Sequence, residues 1–545
     1  MSAPMIAVRV PEPAPLMAQA SPSTLRELIE AQALAFGSKS YLLTTEETGD
    51  SVPGNAAAGA PGRDVLTFAG LRDDCRELAT RFAAAGLRPG DIVSVCMGNG
   101  LQTARIILAA MYSGLVVNPI NLLCQPAQLR YIVEHADTRL IFVSPAMLPA
   151  ITQAVDAARA DGMSRPLALA CTSADDLCLP EVPSVDANDM IDANGMRDVA
   201  LLMYTSGTTG LPKGVMLTHR NLLANAGFIS AEHCLTANDR VLAALPLYHI
   251  NGLVVTLLSP LFHGGSVVMT TKFSARTFWR DVVATQCSWI NVVPTIVAYL
   301  LDGEAPPPES LSALRFCRSA SAALPADHHR AFEARFGIGI IETMGMTETA
   351  APVFSNPLDA TRRRVGSIGF PSGGEAGVVR PDGTLTPAGE TGELVLRGQQ
   401  VMRGYYKRPE ETAAAFTSDG WLRTGDIGYR DADGYFYITG RAKELIIKGG
   451  ENIAPREIDE ALLQHPGVLD AAAVGFPDPA YGQEIVAFVV VRESAAQSVD
   501  AAALREHCLQ TLGRYKTPKE FHFVDDLPRG PSGKVQRLKL LQRQT

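Results

Sequence analysis

A chain of 545 residues with 47% hydrophobic residues is too long for one compact core, so two or more domains are expected. Its 48 basic and 57 acidic residues give a formal charge of −9, which argues against a nucleic-acid surface, since that calls for a basic excess or patch. Nine scattered cysteines form no CxxC pair and no even framework, so a reducing, cytoplasmic setting is expected.

The chain opens with "MSAPMIAVRVPEPAPLMAQASPS", which is broken by prolines and has no basic start before an apolar run. Residues 1–22 are therefore read as a flexible leader and not as a signal peptide. "STLRELIEAQALAFG" has helical periodicity, the Gly/Ala/Pro-rich stretch near 49–64 reads as loop, and "FAGLRDDCRELATRFAAAGL" reads as a helix before the strand "DIVSVCM". Further strand patterns follow at "LIFVS", "SVVMT", "SWINVVPT" and "GIGIIETMG", and this alternation predicts parallel sheets covered by helices. The most apolar segment, "GLVVTLLSPLF", is too short to span a membrane and contains Pro260. After about residue 365 the frequent turns and alternating apolar positions predict short antiparallel strands. A boundary near 440 leaves a final section of domain size with its own αβ pattern.

The stretch "YTSGTTGLPKG" at 204–214 concentrates hydroxyls, glycines and one lysine behind the apolar lead-in "DVALLMY". Glycines let a backbone approach an anion, hydroxyls and amides donate to its oxygens, and a lysine adds a compact positive charge. That is a phosphate site, but not a Walker loop: counting from Gly207, Pro212 stands where the second glycine is required, and Lys213 is followed by Gly214.

Downstream lie "LPLYHINGL" (245–253), "ETMGMTET" (342–349), "WLRTGDIG" (421–428), "GRAKELIIKGGEN" (440–452) and "PRGPSGKVQR" (528–537). Together with 204–214, and in this order, they resemble the adenylate-forming superfamily of acyl-CoA synthetases, peptide-synthetase adenylation domains and firefly-type luciferases. The resemblance runs from about residue 25 to the end. It implies an α/β fold: a large N-terminal domain (23–441) of two helix-covered sheets plus a distorted β-barrel, and a small mobile α+β lid (442–545). It also implies the chemistry, which is attack of a carboxylate on the α-phosphate of ATP to give an acyl-adenylate and pyrophosphate, then displacement of AMP by the thiol of coenzyme A.

By the same resemblance, Thr205, Ser206, Gly207, Thr208, Thr209 and Lys213 hold the β- and γ-phosphates. Thr347 touches the α-phosphate, and Glu348 ligates Mg²⁺, which favours hard oxygen ligands. Glu342, Thr343 and Met344 line the adenine site, where Met344 replaces the family's usual aromatic residue; a thioether still covers a purine face. Asp426 and Arg441 take the ribose, and Lys534 is the catalytic lysine of the adenylation step. Lys443 is the hinge of the lid. Gly449 and Gly450 let the pantetheine arm pass, although "KGGEN" would equally make an ordinary hairpin turn. His249 lines the acid site and gates the thiol tunnel.

For the acid itself, the text after "GMTET" ("AAPVFSNPLDATRRRVGSIGFPSGGEA") is similar to the branch handling oxalate and other small polar acids. His249, Asn251, Arg318, Ser319, Ser321, Gly345 and Met346 form the expected pocket, polar enough for a second anion. Arg318 is either the anion's anchor or a structural arginine. Ala350 and Ala351 stand where oxalate ligases often carry a histidine, which favours a slightly longer acid, a short dicarboxylate or a sulfonated acetate. The rivals are a ligase for medium-chain or aromatic acids and an adenylating enzyme that loads a separate carrier protein. The expected partners are thus a small carboxylic acid, ATP and coenzyme A, with no nucleic acid and no membrane span; a homodimer is left open.

Overall fold

A computed structural model describes residues 8–9, 22–45, 65–185, 196–205, 211–492, 499–529 and 535–541. Helix starts follow local chemistry: the side chains of Thr24, Thr67 and Asp500 accept from the backbone N–H groups of Glu27, Gly70 and Ala503, so that helices 25–36, 68–84 and 501–516 begin where an acceptor is at hand.

Two large sheets carry the first part of the chain. One has seven strands in the order 404–405, 213–218, 199–205, 116–119, 92–96, 138–143, 168–171. The other has nine, in the order 370–371, 351–355, 340–346, 316–319, 289–292, 240–243, 266–269, 40–44, 65–67. Their inner strands pair in parallel; both flanks of the nine-stranded sheet and the 213–218 flank of the seven-stranded one are antiparallel, whereas its other edge, 168–171, is parallel to 138–143. Inner strands such as Ile92–Cys96, Thr138–Val143 and Phe316–Ser319 are buried at every position, as strands covered on both faces must be. The helix Leu101–Tyr112 is also buried at every residue, and it touches strands of both sheets. It is the filling between two layers, so it has no polar face to offer.

Asn251–Leu258 is a π-helix, wholly buried. Its second residue must be glycine, because a Cβ on Gly252 would come within 2.1 Å of the Pro246 carbonyl oxygen. The segment read as merely too short for a membrane span is thus a buried helix, and among the described residues no helix is long and apolar enough to cross a membrane.

The expected distorted barrel is an open antiparallel sheet ordered 8–9, 374–379, 392–398, 422–430, 436–441. It does not close among the described residues because its last strand turns to the nine-stranded sheet's side of the molecule: Phe436 donates to the Gly369 carbonyl and accepts from Ile368 N–H. Within the segment read as a leader, Val8 and Arg9 pair with Ala376 and Glu375.

The last large-domain strand ends at Arg441, and the terminal sheet begins at Ile446. That sheet runs 451–453, 446–448, 482–491, 468–478, with 520–523 parallel to 482–491, and helices 455–463 and 501–516 pack with it around their own apolar core. All nine cysteines are free thiols.

Candidate active site

Strand pairing and turn geometry bring Thr205, Lys213 and Glu348 of the expected phosphate and metal set into one neighbourhood. Thr205 ends its strand directly opposite Lys213. The Lys213 ammonium lies 4.8 Å from the centre of the Tyr405 ring, and the Tyr405 hydroxyl donates to Oε1 of Glu348 at 2.9 Å. Burial, and then the adjacent Glu348, hold that phenol well above its ordinary pKa, so it remains a donor. Glu348 is 9% exposed and its backbone carbonyl accepts from Met402 N–H. Tyr405 is a residue the motifs missed; its signal was the aromatic pair in "GYYKRPE", which a search for charged groups passes over. Ser206, Gly207, Thr208, Thr209 and Lys534 lie outside the described residues.

The turn that displays Thr347 and Glu348 is strained. Ala350 and Ala351 have φ of 56° and 108°, and Asn225 anchors the turn by donating to the carbonyls of Thr349 and Pro352. Gly345 cannot carry a side chain, since a Cβ there would fall 2.1 Å from the Ala351 carbonyl oxygen. Upstream on the same strand, Met344 is buried against its partner Phe354, and the Thr343 hydroxyl donates to the Ser319 carbonyl. Glu342 is fully enclosed, and burial pushes its carboxyl up to about 7. Asp426 and Arg441, the expected ribose pair, are cross-strand partners joined by an ion pair of 2.8 Å.

The acid-pocket residues form a chain of amide and hydroxyl contacts. Arg318 lies on an inner strand with 1% exposure, and Nη1 donates to Oδ1 of Asn251 at 3.0 Å and of Asn291 at 2.7 Å. Asn291 in turn donates to Oδ1 of Asn251, and Asn251 donates to the Ser321 hydroxyl, each at 3.2 Å. Ser321 is held at φ 74°. No carboxylate pairs with Arg318 among the described residues, and its Nε has no acceptor. Burial without a countercharge presses its pKa down toward about 9, which still leaves it a cation at neutral pH. Ser319, next along the strand, projects to the opposite face, beside its register partner Glu342. His249 is half-buried just before the π-helix, edge-on to Tyr248 with ring centres 4.9 Å apart. Gly345 and Met346 are half-buried at the end of their strand.

On the small domain, Lys443 is exposed in the turn after Arg441, and Gly449–Gly450 make a hairpin turn with φ of 56° and 88°. Two successive positive φ values are what a tight two-residue hairpin demands. Arg456 reaches back from the small domain, donating to the Ile438 carbonyl at 3.0 Å.

Comparison with known proteins establishes the family. Residues 46–406 match the model of the AMP-binding enzymes, and residues 457–534 that of the AMP-binding enzyme C-terminal domain. The sulfoacetate–CoA ligase of Cupriavidus necator is 62% identical over 95% of this chain and 97% of its own length. The oxalate–CoA ligase of Arabidopsis thaliana is 36% identical over 90% and 96%. The crystal structure of ATP-bound MatB from Rhodopseudomonas palustris superposes with a TM-score of 0.81 at 30% identity, covering 95% of this chain and 98% of that one. The chain belongs to the AMP-binding enzyme family and is an AMP-forming acid–CoA ligase.

Proposed function

We propose that this ligase activates a short acid bearing a second anionic group, with sulfoacetate as its leading substrate and short dicarboxylates next. The observation that carries this reading is Arg318: a buried guanidinium whose only acceptors among the described residues are two neutral amides. Burying a cation without a countercharge is costly, and a substrate anion that supplies the countercharge recovers that cost on binding. A medium-chain or aromatic acid would leave the charge uncompensated. The 62% identity to a sulfoacetate–CoA ligase supports the same choice.

In this reading an oxygen of the substrate carboxylate attacks the α-phosphorus of ATP, and the bond to pyrophosphate breaks. The thiol of coenzyme A then attacks the acyl carbon, loses its proton, and releases AMP. Lys213 and the 205–209 loop hold the β- and γ-phosphates, Thr347 the α-phosphate, and Asp426 with Arg441 the ribose. Met344 covers adenine. The carboxylate of Glu348, steered by Tyr405, suits Mg²⁺, which when bound offsets phosphate charge. Lys534 serves the adenylation step, Lys443 the lid's rotation, and Gly449–Gly450 the passage of the thiol arm. His249 lines the acid site and gates the thiol. The chain's nine free thiols suit a reducing, cytoplasmic site of action.

The test is an ATP- and CoA-dependent panel. Sulfoacetate, malonate and oxalate should exceed hexanoate, decanoate and benzoate in kcat/KM, and AMP release should require CoA. A medium-chain or aromatic acid that is best by tenfold, or discrimination untouched in Arg318→Ala, would overturn the assignment.

A further inference from the structure

The hydrogen bonds of Arg318 are unevenly spent. Nη1 has two acceptors, whereas Nε, buried, has none, and no described residue accepts from Nη2. Nε and Nη2 together form the edge of a guanidinium that meets a carboxylate or sulfonate with two parallel hydrogen bonds. The remote end is therefore fixed, and the fork that suits an oxyanion is kept out of the protein's own bonding.

What fixes the remote end is chiefly Asn291, on the adjacent strand and in register with Arg318, at the shorter of the two distances. The orientation of both amides follows from chemistry: a guanidinium only donates, so Asn251 and Asn291 must each turn an oxygen to it. Asn291 then spends its N–H on Asn251 Oδ1, which ties the π-helix to the strand. Asn291 is 1% exposed and belongs to no motif.

We infer that Asn291 is a positioning residue for substrate choice, holding Nη1 of Arg318 through a neutral acceptor so that the Nε–Nη2 edge and the full charge go to the second anion of the acid. This rests on the reading of Arg318 as the anchor. Neutrality matters as much as position: an aspartate here would make the same contact and consume the charge in an internal ion pair.

The experiment compares Asn291→Asp, Asn291→Ala and Arg318→Ala with wild type, reading kcat and KM separately for sulfoacetate and for propionate, a monoanion of similar length. In Asn291→Asp, the sulfoacetate-to-propionate ratio of kcat/KM should fall by roughly 100-fold, mainly through KM for sulfoacetate, while KM for ATP moves little. Asn291→Ala should lower the ratio by at least about tenfold, and it carries the test alone if the aspartate variant does not fold. Equal losses on both acids would assign Asn291 a merely structural role and overturn the inference. So would an unchanged ratio in Asn291→Asp beside a collapsed one in Arg318→Ala, a result that leaves the anchor standing. An unchanged ratio in Arg318→Ala removes the anchor itself.

Discussion

Glu342 is enclosed to 2% exposure, and its Oε2 has no hydrogen-bond partner, while Oε1 accepts from Leu324 N–H. Burial raises its pKa to about 7 from an ordinary 4.5, against the opposing pull of Arg456. The folded state therefore binds a proton that the unfolded chain has already released between those values. The stability associated with the neutral form is complete below 4.5 and is lost as pH climbs through about 7. Glu342→Gln keeps an oxygen for Leu324 and cannot ionise, so its Tm should gain on wild type as pH goes from 5 to 8. Equal differences at both pH values would show that the carboxyl is not held neutral by the fold. Single residues of this kind were only half legible in the sequence. Thr347, Glu348, Asp426 and Arg441 announce themselves because each sits in a contiguous motif. Asn291 and Tyr405 do not, because their partners are 27 and 57 residues away and are set by sheet register and a turn's path.

Among the elements, those with a strong period were legible: helices 25–36 and 68–84, the buried strands 92–96, 138–143 and 289–292, and the antiparallel texture after 365. The π-helix 251–258 was not, since an unbroken apolar run has no face to reveal its period. Its geometry is nevertheless specified by one atom-sized gap. Gly252→Ala would set a methyl against the Pro246 carbonyl, in a loop whose Leu245 carbonyl and Leu247 N–H are both held by Asn99. We expect a loss of about 1–3 kcal/mol of stability, as for overpacking, and a raised KM for the acid as Asn251 is displaced. A denaturant midpoint and an acid KM both equal to wild type would show that the loop yields freely. The barrel fell short of expectation for a related reason: pairing at Phe436 with the 369 segment is a long-range contact that no local pattern encodes.

At the scale of the molecule, the two parts meet where Arg456 of the small domain bonds to Ile438 of the large one, close to the turn that holds Lys443. Proline at 443 fixes φ and should resist rotation there. Lys443→Pro is expected to spare pyrophosphate release and suppress CoA consumption. Lys534→Ala should lower acyl-adenylate formation by roughly 10²–10³-fold and leave thioester formation from supplied acyl-adenylate nearly intact. If both half-reactions fall together in both variants, the two steps do not use separate lid positions.

The same layout has a consequence for descent. In the proposed reading, Arg318 and the two amides that hold it, Asn291 and Asn251, lie on strands 316–319 and 289–292 and on the π-helix, whereas the nucleotide is assigned to 199–205, 213–218, 340–349 and 422–441, with Gly345 and Met346 of the acid pocket on the shared strand 340–346. Mutation around Arg318 could then alter the choice of the acid's second group while selection for ATP holds the nucleotide elements still. On the proposal that the substrate supplies the countercharge to Arg318, one replacement of that arginine by an apolar residue would open a path from doubly charged acids toward singly charged ones, with the rest of the catalyst inherited unchanged.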